Sequence, residues 1–116
     1  MKEVPNMTMD FVDVRDVAMA HLQAVKAEAA LNRRFIISAD EVWFRQVAEW
    51  LAAEFNPQGF AVTATQAEQD QRENCLMDST ASRDVLKVTY RPVKESAIDT
   101  INALIQLGVV TKPKAL

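Results

Sequence analysis

Hydrophobic positions along this chain of 116 residues recur with two different periods, and the changes of period divide it into elements. Met9 to Val14 is apolar and β-branched enough for a short strand or an extended lead-in. From there Val14, Val17, Ala18, His21, Leu22 and Val25 repeat at helical spacing and predict a helix with one buried face. Asp13 is placed to cap that helix by accepting from a backbone N–H two or three residues on. Asp16 in the first turn suits the positive end of the helix dipole. Lys26 and Glu28 mark the wet side, and Asn32 is the expected stop.

Arg34 to Ser38 is a short β-rich run and predicts a strand. A second helix is expected from about Val42 to Phe55, with Phe44, Val47, Ala48, Leu51 and Phe55 on one stripe, Trp50 beside it and Asn56-Pro57 ending it. Phe60 to Thr65 alternates as a strand would, whereas Gln66 to Asn74 is polar without a stripe and reads as a solvated connection or short helix. Asp78-Ser79-Thr80-Ala81-Ser82 is dense in capping side chains and predicts a brief helix through about Leu86. Tyr90-Arg91-Pro92 breaks the chain. A last helix then runs from about Val93 to Leu107, burying Ala97, Ile98, Ile101, Leu104 and Ile105 and terminating at Gly108. The fold class is therefore α/β with α+β character: about four helices and two or three short strands. Residues 1–116 read as a single partial domain, with 111–116 as a frayed tail.

Composition narrows the chemistry. With 49% hydrophobic and 25% charged residues, the chain can bury a core. Two glycines are few, since average usage would give roughly eight; that argues against a glycine-lined phosphate cradle. A net charge of −3 gives no electrostatic footprint for nucleic acid or an anionic membrane. Cys75 is the only cysteine, so no internal disulfide can form, and it has no cationic neighbour closer than Arg72 to activate it. No run approaches the ~18 apolar residues a membrane span needs, nor does the amino terminus resemble a secretory signal, so a cytoplasmic location is expected.

Several residues suggest chemistry, and each has a plainer explanation. Tyr90 and Lys94 have the Tyr-x-x-x-Lys spacing of a proton donor and the lysine that tunes it, but Pro92 lies between them and starts a helix rather than sitting inside one. Asp10, Asp13 and Asp16 are spaced by three, yet a hard cation needs about six converging oxygens and nothing nearby supplies the rest. His21, the only histidine, lies on the apolar stripe and reads as a hydrogen-bonded core residue. Trp43, Phe44, Trp50, Phe55 and Phe60 gather around the second helix; core packing is their commoner use, and stacking of a flat aromatic substrate is the alternative.

The run Phe11-Val12-Asp13-Val14-Arg15-Asp16-Val17-Ala18-Met19-Ala20-His21 resembles the strand-to-helix passage late in extended short-chain dehydrogenases/reductases, near the dihydroflavonol reductase and cinnamoyl-CoA reductase branch of the NAD-dependent epimerase/dehydratase superfamily. The likeness continues through Arg33–Ser38, Phe44–Leu51, Asp78–Arg83, Tyr90–Ser96 and Leu107–Val110, so it covers nearly the whole chain. In that family this passage follows the nucleotide-binding half. The resemblance therefore implies the carboxyl-terminal, substrate-binding lobe of an NAD(P)-dependent oxidoreductase acting on a carbonyl or hydroxyl compound, without the Rossmann domain core. NAD or NADP belongs to the parent enzyme, and none is expected on this chain alone, which would be inactive by itself. The resemblance implies no catalytic, cofactor-binding or metal residue here; it assigns only Met9 and Asp10 to the substrate pocket. Two positions depart from the family pattern. Trp43 stands where a small capping residue is usual, which would move the helix start toward Asp40. Lys87 replaces a glycine at a turn, and lysine resists positive φ. The alternative reading is a free-standing binding or oligomerisation module derived from the same lobe. In either case, helix faces meant for the absent half would drive self-association.

Overall fold

The computed structural model of the protein describes residues 2–70 and 77–113. Its elements are β1 (Val4–Asn6), β2 (Thr8–Phe11), α1 (Val14–Lys26), a 3-10 turn at Glu28–Ala30, β3 (Asp40–Trp43), α2 (Phe44–Phe55), a 3-10 turn at Asn56–Gln58, β4 (Gln66–Asp70), α3 (Thr80–Asp84) and α4 (Val93–Gln106). Four helices with a few short strands make the expected α/β class. β1 pairs in parallel with β4, and β2 with β3. No helix among the described residues is long and apolar enough to cross a membrane.

The chain divides into two compact units. The first comprises Met1–Met9, Val42–Glu73 and Lys94–Leu116. Here α2 packs on β1 through the stripe the sequence shows: Ala48 and Phe55 are buried, Phe44, Val47 and Leu51 half-buried. Phe55 is fully buried and meets the Phe60 ring edge-on, centroids 6.0 Å apart. α2 begins at Phe44, later than the sequence suggests, because β3 holds the chain extended through Trp43. Asp40 does not cap it; its Oδ1 instead accepts from the next N–H, that of Glu41, at 2.9 Å. The helix ends at Phe55, but Asn56 stays in the right-handed α region despite the following proline. The chain makes one more 3-10 turn before Gly59 reverses it at φ 91°. On α4 the inward residues Ala97, Ile98, Ile101, Leu104 and Ile105 are half-buried as expected. Gly108, at φ 72°, ends the helix while Val109 N–H reaches back to Leu104 O.

Neither strand expected in the middle of the chain forms, although Thr65 O accepts from Val4 N–H at 2.8 Å. Residues 34–38 and 60–65 join no ladder, whereas the polar run Gln66–Asp70 does, as β4. Pairing, not local propensity, defines a strand. At 60–65 the Asn56 side chain substitutes for a neighbour: Val62 N–H donates to its Oδ1 at 2.8 Å, and its Nδ2 donates to Val62 O at 3.1 Å.

The second unit comprises Asp10–Glu41 and Asn74–Val93. Its core is Ala20 and Ala30 against Leu86 and Val88, with Ala24, Ala27, Phe35, Ile37, Val85 and Tyr90 packed around them. Asp13 caps α1 as expected, accepting from Arg15 N–H at 2.8 Å. The buried face of α1 is not the expected one. Asp16 and Ala20 point inward, while Val14 is 78% exposed, Val25 87% and Leu22 47%. The helix carries two apolar stripes, one bulky and one of alanines. The alanine stripe wins because small side chains let Leu86 and Phe35 approach closely and because Asp16 is anchored inward. His21 is accordingly exposed, not a core residue. Asn32 does take a stopping conformation (φ 58°), after α1 has ended at Lys26 and one 3-10 turn has followed. Lys87 adopts φ 55°, so the turn between buried Leu86 and Val88 survives without glycine.

Candidate functional site

A chain of polar contacts runs through the second unit, built from residues far apart in sequence. Asp16, 2% exposed, accepts from Arg91 N–H at 2.7 Å and forms an ion pair with the Arg91 guanidinium. That pair locks the α1 amino terminus to the segment preceding α4. Asp13, also buried, is held by its neighbour Arg15, whose Nη2 lies 2.6 Å from Oδ2. Asp10 accepts from the buried Ser38 hydroxyl at 2.8 Å. Next to Ser38, Ala39 O accepts from Arg83 Nη2 at 3.0 Å, and the Arg83 guanidinium lies over the Tyr90 ring at 4.5 Å. The Tyr90 hydroxyl shares a 2.7 Å hydrogen bond with fully buried Ser82, whose Oγ also lies 2.6 Å from Ser79 O. No fully buried side-chain polar atom lacks a partner among the described residues.

These contacts account for the three aspartates without a cation, each having a protein partner. No group of three or more His, Cys, Asp or Glu among the described residues could hold a metal ion. Tyr90 is committed to Ser82 and Arg83, while Lys94 opens α4 in the other compact unit beyond Pro92. Cys75 lies outside the described residues.

Met9 and Asp10 are adjacent in β2, so their side chains leave opposite faces of the strand. Met9 is exposed; Asp10 is half-buried and oriented by Ser38. Ser38, Ser82 and Arg83 fall within stretches that carry the family likeness, yet nothing in the sequence gives them a role beyond the cap-rich run that contains Ser82. In that run Asp78, not Ser79, does the capping. The Thr80 hydroxyl and the Thr80 N–H, the latter at 2.9 Å, hold the Asp78 carboxyl below its ordinary value of 3.8.

Open clefts lie in both units. In the second unit a cleft of about 180 Å³ is lined by Ala20, Ala24, Phe35, Ile37 and Leu86, with His21 at its margin. His21 Nδ1 lies 2.8 Å from Val17 O, so in the neutral ring Nδ1 carries the hydrogen and Nε2 is an acceptor. In the first unit a larger cleft, about 360 Å³, is lined by Trp43, Arg45, Gln46, Glu49 and Gln66. Of the five clustered aromatics, Phe55 and Phe60 pack edge to face and Trp43 lines this cleft. Gly59 ends a 3-10 turn and Gly108 follows α4, so neither glycine opens onto a helix amino terminus.

No family model matches the chain. Cinnamoyl-CoA reductase 2 of Arabidopsis thaliana is 28% identical over 97% of this chain and 33% of its own length. The NADPH-dependent methylglyoxal reductase GRE2 of Saccharomyces cerevisiae is 25% identical over 90% of this chain and 31% of its own. The chain is a relative of the extended short-chain dehydrogenases/reductases. Among solved structures, yeast methylglyoxal/isovaleraldehyde reductase Gre2 complexed with NADPH shares the fold, with a TM-score of 0.75 at 22% identity. That likeness covers 93% of this chain and 36% of the yeast chain. The chain thus spans about a third of the length of the curated relatives it matches, in keeping with a carboxyl-terminal piece.

Proposed function

We propose that this chain is the carboxyl-terminal substrate-binding lobe of an NAD(P)-dependent carbonyl reductase, and that it does not catalyse the reaction by itself. One observation carries the reading: nearly the whole chain matches reductases, yet it accounts for about a third of them. The larger protein would bind NADPH, as the yeast relative does, and reduce a small carbonyl compound such as methylglyoxal or a cinnamoyl thioester. Met9 and Asp10 are the residues offered to that substrate. Asp10 is the better anchor, because Ser38 fixes one carboxylate oxygen and leaves the other able to accept from a substrate hydroxyl. Residues 1–116 act as one partial domain, located in the cytoplasm. The outward stripe of α1 is surface that a chain of this length exposes to self-association.

The test is NADPH oxidation with methylglyoxal and with cinnamoyl-CoA. The isolated chain is expected to give no turnover and no saturable NADPH fluorescence change. Fused behind the nucleotide-binding part of a reductase, it should give turnover, and Asp10→Ala should raise KM more than it lowers kcat. Turnover by the isolated chain would sink the proposal.

A further inference from the structure

The larger cleft of the first unit, about 360 Å³, is built by three elements and lined by one aromatic ring and four polar side chains. Trp43 closes β3, Arg45, Gln46 and Glu49 belong to the first two turns of α2, and Gln66 opens β4. Their supports are fixed. Phe44 N–H donates to Met7 O at 3.1 Å, and β4 lies in register with Gln66 opposite Val4. The volume sits at the small end of the range of about 300–1,000 Å³ typical of small-molecule sites.

Trp43 occupies the N-cap position of α2 and makes no capping hydrogen bond there, as Ser, Thr, Asp or Asn would. The helix forgoes a cap, and the position instead puts a half-buried indole on the wall of the cleft. Arg45 Nε donates to Glu49 Oε1 at 2.8 Å. The terminal nitrogens of Arg45 and Oε2 of Glu49 make no hydrogen bond to another described residue, nor do the side-chain amides of Gln46 and Gln66. Donors and acceptors therefore surround one flat apolar face, and the two charges of the lining cancel.

That combination selects among occupants. A charged ligand loses to one member of the ion pair what it gains from the other. A purely apolar ring would desolvate the pair and both amides without replacing their hydrogen bonds to water. A sugar ring has an apolar C–H face to lay on the indole and, around its rim, hydroxyls that both donate and accept. We propose that this cleft binds a neutral pyranose, free or as the terminal ring of a glycoside. The ring stacks on Trp43, and its adjacent hydroxyls hydrogen-bond to Glu49, Arg45 and the two glutamines. The site involves neither Met9 nor Asp10.

The probes are methyl β-glucopyranoside, methyl β-galactopyranoside and methyl α-mannopyranoside, each titrated into the 116-residue chain. Saturation-transfer NMR on the wild-type chain reads binding directly. Trp50→Phe leaves Trp43 as the single indole, so its fluorescence then reports this cleft. At least one glycoside should bind saturably, with a Kd of about 1 mM or lower. Trp43→Ala should weaken that binding about tenfold or more, and Glu49→Gln and Gln46→Ala about threefold each, with circular dichroism checking that each variant is folded. Raising salt to about 0.5 M should leave the affinity unchanged, because the ligand is neutral. Failure of all three glycosides to saturate below about 50 mM overturns the proposal. So does binding that survives Trp43→Ala in a folded chain, or a glucuronate that binds more tightly than the glucoside. Saturation by cinnamyl alcohol but by no glycoside also overturns it, and marks the cleft as a seat for a flat aromatic ring. Each of these outcomes leaves the substrate-lobe reading intact, since none of the variants alters Met9 or Asp10.

Discussion

Two helices of nearly equal length, α1 and α2, meet their surroundings in opposite ways. α2 encloses Phe55 wholly, buries Ala48, half-buries Phe44, Val47, Trp50 and Leu51, and leaves its charged side chains outside. α1 buries one alanine, Ala20, and Asp16, and turns Val14, Leu22 and Val25 to solvent. The first is held by apolar area and shape; the second is held by close approach and by the Asp16–Arg91 pair. A helix anchored through an ion pair can leave a second apolar stripe free for another surface, whereas one anchored through aromatic bulk cannot.

Substitutions should expose this contrast. Phe55→Ala removes an enclosed ring from the α2 side and should cost about 4 kcal/mol in chemical denaturation. Arg91→Ala leaves the buried Asp16 carboxylate with the backbone N–H but without its counter-charge and should cost about 3 kcal/mol; if it costs no more than an ordinary surface change, α1 is not held by that pair. Lys87→Gly relieves a left-handed residue and should raise stability by about 1 kcal/mol. Val25→Ser on the outer stripe should change monomer stability by less than about 0.5 kcal/mol. The smallest effect concerns Asp78. Its carboxyl is depressed by Thr80, so its contribution is complete above the ordinary value of 3.8 and is lost as pH falls through the lower folded-state value. Asp78→Asn should flatten only that acid limb of the pH–stability profile.

How far each feature could be read from sequence follows the distance between the residues that make it. The Asp13 cap, the Gly108 terminator, the break at Pro92 and the stripe of α2 are local, and all appear where the sequence places them. Asp16 and Arg91 are 75 residues apart and Ser38 and Asp10 are 28 apart; neither pair has a periodic signature. The α1 face was misplaced for a related reason. Hydrophobicity ranks valine and leucine above alanine, but the available space inside the unit favours alanine, and that space is set by Leu86 and Phe35. The strand at Gln66–Asp70 was missed because its composition is polar and its only qualification is register with β1. The reductase likeness was legible because many weak local motifs keep their order over almost the full chain. Asp10 could be named only through that likeness; what orients it became visible in the fold.

The doubly bonded Asn56 makes the path of the chain after α2 depend on a single nitrogen atom. Exchanging that amide for a carboxylate, as Asn56→Asp does, would keep the oxygen facing Val62 N–H. It would also set negative charge against Val62 O. The nitrogen of one side chain therefore decides whether the stretch leading to β4 keeps its path, and Pro57, having no N–H to attack the neighbouring amide, shields that nitrogen from spontaneous loss.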